Sequence, residues 1–385
     1  MNEIRSQEDD PPDKDCLTTS TLEPTNVIPE WKKLLKHSFS SLDDIAVRFG
    51  LDINELRQVY EQYPARVNSY YLSLIKEKGD PIYLQAIPQN IELEDIFGEE
   101  DPLHEEPENQ ARHEVPSLVT HRYPDRALFR ISNECAMYCR FCTRKRKVGD
   151  TDQQPNISEL EQALGYISDH EEIRDVILSG GDPLMLSDHK LESIIKDLYG
   201  IIHPRKHGII RIGTRIPCVL PQRVTPELAE MLGKYHPLYI NTHFNHPAEI
   251  TKESHEACNL LANAGIPLGN QTVLLKGVND DPETMKELLL GLLDIRVKPY
   301  YIYQCDPVKG TTHFRTRVET SLQLYDSLRG HISGMAVPNF VIDAPGGGGK
   351  VRIYPSDLIS INDNEAIVRN YEGRTFSYPQ PPQEN

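Results

Sequence analysis

Cys135, Cys139 and Cys142 are spaced C-x3-C-x2-C, with the aromatic Phe141 just before the last of them. Three thiolates satisfy three irons of a [4Fe–4S] cluster, whose usual ligand set is four cysteines. The fourth iron is then open to a small molecule, which turns an electron carrier into a reaction site. The competing reading is a structural zinc site, but zinc wants four ligands drawn from C-x2-C pairs or histidines. The other cysteines, Cys16, Cys218, Cys258 and Cys305, are scattered. The odd total of seven also argues against a disulfide framework.

A second constellation runs from Asp343 through Ala344, Pro345 and the glycines 346–349 to Lys350. Glycines let backbone N–H groups come close to an anion. A Walker A loop would need glycine at 344 and Ser or Thr at 351, where Ala344 and Val351 stand. Two readings remain: a flexible loop ending in a solvated lysine, or a lysine presented for Schiff-base chemistry, as with pyridoxal phosphate (PLP). The run Arg144, Lys145, Arg146, Lys147 reads by itself as a solvated basic face.

These residues need elements to hold them. Short apolar runs at Ala127–Ser132, Val176–Ser179, Ile209–Gly213, Leu238–Thr242, Leu268–Leu274, Tyr300–Gln304 and Phe340–Asp343 predict strands. Helical periodicity lies between them, at 158–167, 190–199, 225–235, 250–264, 282–293 and 321–328. Alternating β and α implies a parallel sheet, here α/β with a partial TIM-type (β/α)6 barrel whose chemistry sits at the C-terminal strand ends. The cysteines follow the first strand directly. Residues 28–116 predict a helical N-terminal subdomain, including a helix-spaced stretch over Leu56–Ile75, followed by an acidic linker arm over 98–116. Residues 117–355 form the barrel, 1–27 a disordered tail, and 356–385 a C-terminal tail, loose from residue 370 on.

The chain has 385 residues and a net charge of −17. That charge repels phosphate backbones, so nucleic acid is not an expected partner. No apolar run approaches membrane-spanning length, and the first residues lack a signal-peptide core. A cytoplasmic, reducing setting is expected, where thiolates stay free for iron.

The cysteine triplet with Phe141, followed by Asp343 to Lys350, resembles the lysine 2,3-aminomutase family of radical S-adenosylmethionine (SAM) enzymes. Further matching segments begin at His121, Cys142, Ser179, Asn241, Leu268, Tyr300 and His313, and the likeness covers roughly residues 95–355. It implies a [4Fe–4S] cluster on Cys135, Cys139 and Cys142, with SAM on the open iron. Ser179, Gly180, Gly181 and Asp182 would receive the SAM amino group, Phe141 would face the adenine, and His243 and Gln271 would contact SAM. Lys350 would be the catalytic lysine joined to PLP, and Arg122 and Arg126 the PLP-phosphate contacts. Arg144 would grip the substrate α-carboxylate. Asp306 and Asp343 would face the far end of the substrate; two carboxylates together call for a cation between them.

The implied reaction moves the α-amino group of L-lysine to C3, giving β-lysine. Arginine or glutamate 2,3-aminomutase is the alternative within the family, and a non-catalytic metal-knuckle protein the alternative of another class. Some family members carry further cysteines that bind zinc between subunits. This chain has none after Cys305, so no structural zinc is expected. A flavodoxin or ferredoxin as electron donor, and a homo-oligomer, complete the expectation.

Overall fold

The structure, a computed structural model, describes residues 29–36, 38, 42–112, 114–149 and 154–381. The expected tail over 1–27 lies outside them. Nine strands form one sheet in sequence order. They are β1 (Val119–Tyr123), β2 (Arg126–Ser132), β3 (Asp175–Gly180), β4 (Ile209–Gly213), β5 (Leu238–Thr242), β6 (Leu268–Leu274), β7 (Lys298–Gln304), β8 (Asn339–Ala344) and β9 (Gly349–Arg352). From β2 to β8 the neighbours are parallel, while β1 and β9 run antiparallel at the two edges. Helices Ile157–Asp169, Asp188–Ile202, Pro226–Leu232, Lys252–Asn263, Pro282–Asp294 and Val318–Leu328 make the six crossovers. The expected six βα units are present, with one further parallel strand. The sheet edges meet through Tyr123, whose hydroxyl accepts from the Lys350 amide at 2.8 Å.

Strand alternation separates core from cavity. On β3, Val176 and Leu178 are fully buried beneath the helices, while Ile177 and Ser179 face the barrel interior. Helix Asp188–Ile202 shows the complementary period: Leu191, Ile194, Ile195, Leu198 and Ile202 are buried on one face. Each such side chain contributes about 1.5–3 kcal/mol by leaving water. Among the described residues no helix is long and apolar enough to cross a membrane.

The N-terminal helices are shorter than the periodicity predicts. The stretch over 56–75 breaks between Gln62 and Ser69, because Pro64 follows the first helix and Asn68 caps the next by accepting from Tyr71 N at 3.0 Å. Asn68 also donates to Ala136 O and Val219 O, tying this piece to the cysteine loop. Backbone bonds Tyr138 N to Arg66 O and Arg140 N to Gln85 O extend the seam. The helical piece is thus the outer wall of the cysteine loop.

Two expectations are corrected. The acidic arm over 98–116 is a strap, not a free linker: Gly346 N donates to Pro102 O, Arg122 donates to Leu103 O, and Glu99 donates its N–H to Pro307 O and accepts from Lys309 N. Residues 356–381 of the expected C-terminal tail are ordered. Strands β10 (Leu358–Ile361), β11 (Glu365–Arg369) and β12 (Thr375–Pro379) make a separate antiparallel sheet. Its hairpin turns on Gly373 at φ +80°, with Asn370 Oδ1 accepting from Glu372 N and Arg374 N. Only Ala366 of its residues is buried, so it carries little of the apolar alternation that marks a strand in sequence.

Candidate active site

A cavity of about 390 Å³ opens at the C-terminal ends of the parallel strands, and every site residue singled out in the sequence lines it. At one end lies the loop that leaves β2. Burial raises the Cys135 thiol, with Asp182 and the neighbouring thiols adding to it. Burial likewise pushes Cys142 up to about 11, with Cys139 next in effect. Neighbouring thiols that oppose the ionisation of Cys135 and Cys142 suit a cationic iron cluster, which reverses the sign of that opposition. Among the described residues no three His, Cys, Asp or Glu side chains converge as they do around a single ion. Phe141 packs against the rings of His243 at 5.6 Å and Phe314 at 6.1 Å.

The turn after β3 sits hard against this loop. Gly180 has φ +126°, and a Cβ there would lie 2.1 Å from Ser132 O; at Gly181 it would lie 2.4 Å from Glu134 O. Both glycines therefore serve close backbone approach. Asp182 is a brace: Oδ1 accepts from Leu184 N and Thr214 Oγ1, and Oδ2 from Arg215 N. Its oxygens are engaged within the protein rather than offered to the cavity. His243 Nε2 pairs with Asn245 Oδ1 at 3.0 Å, and burial, helped by Arg215, lowers the ring to about 3, so it is neutral. Gln271 donates to the Tyr303 hydroxyl at 3.1 Å.

At the other end the glycine loop returns through β9. Gly346, Gly347 and Gly349 all have positive φ, and Lys350 Nζ reaches both oxygens of Asp343 at 3.2 and 3.3 Å. The ammonium also lies 5.3 Å from the Tyr303 ring centroid. Arg122 lies beside this loop on β1, and Arg126 on the hairpin rim, stacked on Tyr123 at 4.8 Å and paired with Asp125. A glycine cradle, two arginines and a primary amine on one wall fit the phosphate and carbonyl of PLP. Asp306 follows β7 and accepts from Thr143 Oγ1 at 3.0 Å. Burial, then the neighbouring Asp343, push its carboxyl up to about 7.

The basic run is not a solvated face. Arg144 makes a two-pronged bond to Glu105, Nε to Oε2 at 2.8 Å and Nη2 to Oε1 at 2.7 Å, leaving Nη1 near Ser179 Oγ and Gly180 O. Arg146 pairs with Asp101 and Glu106, and Lys147 with Glu106. Lys145 is buried with Arg140 around Glu92. Burial alone would raise Glu92, yet the two cations hold its carboxyl below the usual range. The acidic strap and the basic run are thus counterparts across the cavity mouth. Sequence reasoning also missed Arg215, whose Nη1 lies 2.7 Å from Cys139 Sγ.

A family model described as "Radical SAM superfamily" matches residues 129–289, and one described as "Lysine-2,3-aminomutase" matches 325–385. The second spans the C-terminal sheet. The chain is 48% identical to an L-lysine 2,3-aminomutase of Acetoanaerobium sticklandii, over 91% of this chain and 84% of that one. It is 48% identical to that of Clostridium subterminale over the same shares. A glutamate 2,3-aminomutase of Clostridioides difficile is 47% identical over 91% of this chain and 83% of its own. Likeness to solved structures is looser: "Native anSMEcpe with bound AdoMet" matches with a TM-score of 0.43 at 13% identity, over 53% of this chain and 59% of that one. The cysteine loop, the glycine-cradled lysine and this identity over nine-tenths of its length agree: the chain belongs to the lysine 2,3-aminomutase family of radical SAM enzymes.

Proposed function

We propose that this protein moves the α-amino group of L-lysine to C3, yielding β-lysine. Overall identity does not choose the substrate, since the glutamate enzyme is as similar as the lysine enzymes. The observation that carries the choice is the pair Asp306 and Asp343, with the Lys350 ammonium already seated on Asp343. A site that accepts an ammonium from its own chain has the charge to accept the ε-ammonium of lysine, and both carboxylates oppose a glutamate side chain. Arginine also ends in a cation and is the second reading.

Each residue then has a task. Cys135, Cys139 and Cys142 hold the cluster, and the wall of Ser179, Gly180, Gly181, Phe141, His243 and Gln271 encloses SAM, with Asp182 bracing it. Arg122 and Arg126 hold the PLP phosphate, and Lys350 its carbonyl carbon. Arg144 orients the substrate α-carboxylate, Asp306 and Asp343 fix the far ammonium, and the strap keeps out water. Bound SAM supplies a hydrogen-abstracting radical, and bound PLP an electron-delocalising ring for the migrating nitrogen. A reducing cytoplasm suits the described cysteines, all free thiols. A one-electron donor such as flavodoxin or ferredoxin and a homo-oligomer belong to the same reading.

The test is anaerobic reconstitution with iron, sulfide, SAM, PLP and dithionite, followed by a panel of lysine, arginine and glutamate. The expected product is β-lysine, read by chromatography. Turnover of arginine or glutamate without lysine would overturn the assignment.

A further inference from the structure

Arg215 follows β4 and belongs to neither motif, yet its side chain reaches Cys139, Phe141 and His243. It is only 7% exposed. Nη2 donates to Gln85 Oε1 at 2.7 Å and Glu249 Oε1 at 2.8 Å and faces the Tyr71 hydroxyl at 3.4 Å; Nε points to His243 O at 3.3 Å. Its own amide is held by Asp182. Glu249 is equally fixed: it is fully buried, and its oxygens also accept from Tyr71 Oη, Asn245 N and His246 N. The guanidinium is thus locked by the N-terminal helices and the loop after β5, and the backbone by the turn after β3. The group left free, Nη1, is aimed at Cys139 Sγ.

We propose that Arg215 is a positioning and tuning residue that sets the reduction potential of the [4Fe–4S] cluster through the Cys139 thiolate. Reduction adds one electron to the cluster and makes it more negative. A buried cation donating to a ligating sulfur stabilises that reduced state more than the oxidised one. Glu249 offsets part of the charge at longer range, so the pair acts as a dipole with its positive end on the sulfur. The arrangement makes the electron that starts the reaction easier to load.

The test uses full-length protein reconstituted anaerobically, with iron and sulfide counted. Potentials are read by a dithionite titration followed by electron paramagnetic resonance, without SAM. Arg215→Gln is expected to lower the equilibrium constant for cluster reduction at least tenfold, about 59 mV for one electron. Arg215→Lys should restore part of that shift. Glu249→Gln should move the potential the opposite way, and it decides the matter should Arg215→Gln fail to load its cluster. An unchanged potential in Arg215→Gln, or in Glu249→Gln where the first does not load its cluster, overturns the proposal. So does a loss of SAM affinity in Arg215→Gln at unchanged potential, which would make Arg215 a SAM contact only. The inference rests on the cluster reading: wild type that takes up no iron breaks that reading, whereas loaded variants with unshifted potentials break this one alone.

Discussion

The two ends of the cavity are both built from buried charge, but they balance it differently. At the cluster end, Glu92 serves Arg140 and Lys145, and Glu249 serves Arg215, with partners drawn from the helical piece and the barrel alike. Glu92, Arg140 and Lys145 lie outside the cavity lining and fasten the helical piece to the cysteine loop, while Arg215 also reaches Cys139 Sγ. At the substrate end the partners line the cavity itself. Glu105 sits on Arg144 where a carboxylate would be gripped, and Lys350 sits on Asp343 where an ammonium would be gripped. The protein's own chain there carries the charges that an amino acid brings. One end therefore uses ion pairs for architecture and the other sets them at the cavity wall, and substitutions should separate the two by what they damage.

The largest expected effect is on stability, at the cluster end. Glu92→Gln leaves two buried cations without their carboxylate and should cost about 3–5 kcal/mol. Denaturant unfolding of the apoprotein checks this. A loss under 1 kcal/mol would mean that the seam is not held by charge. At the substrate end the cost should fall on turnover. Asp343→Asn and Asp306→Asn should each lower kcat/KM for lysine by two to three orders of magnitude, from about 3–4 kcal/mol of lost ammonium binding. The fold should stay intact by circular dichroism. Lysine turnover that survives both changes would end the ammonium-clamp reading.

Glu105 is the sharper case, because its sign is informative. The strap is pinned on both sides by Asp101 and Glu106 to Arg146 and Lys147, so Glu105 has little freedom to leave. It should then orient Arg144 so that the remaining N–H groups face the incoming α-carboxylate. On that account Glu105→Gln raises KM for lysine roughly 30-fold, about 2 kcal/mol for a charged hydrogen bond. A lower KM would show that Glu105 competes with the substrate and must be displaced in every cycle.

The same contrast explains what the sequence could reveal. Strands β4, β5 and β6 match their expected bounds residue for residue, because apolar runs bounded by turn formers record burial locally. The cysteines were legible because their chemistry is carried by spacing, whereas the role of Lys350 came only through the family resemblance. Arg215 and Glu105 were not, since each acts on a residue distant in the chain: Cys139 lies 76 positions from Arg215, and Arg144 lies 39 from Glu105. Lys145 looked solvated for the same reason, its carboxylate being 53 residues away. β9 is only four residues long and starts in the glycine run, and β10 to β12 are almost wholly exposed, so neither shows a period of burial.

The smallest effect is a pH dependence that only the substrate end should show. Asp306 is raised from the ordinary aspartate range to about 7, by burial first and then Asp343, with Glu105 adding to the rise. Thr143 and Lys350 oppose the rise. Between roughly pH 4 and 7 the folded protein therefore holds a proton that the unfolded chain has released. That contribution to stability is complete below about 4 and is lost as pH rises through about 7. Lysine binding runs the other way, because the ammonium needs the ionised carboxylate. If only that form binds, affinity should rise about tenfold from pH 6 to 8, as follows for one group titrating at about 7. Calorimetry of lysine binding to wild type and Asp306→Asn checks it. The substrate's own amine titrates identically in both proteins, so the difference between the two profiles isolates Asp306. Parallel profiles would place the proton elsewhere and leave Asp343 as the sole ammonium partner.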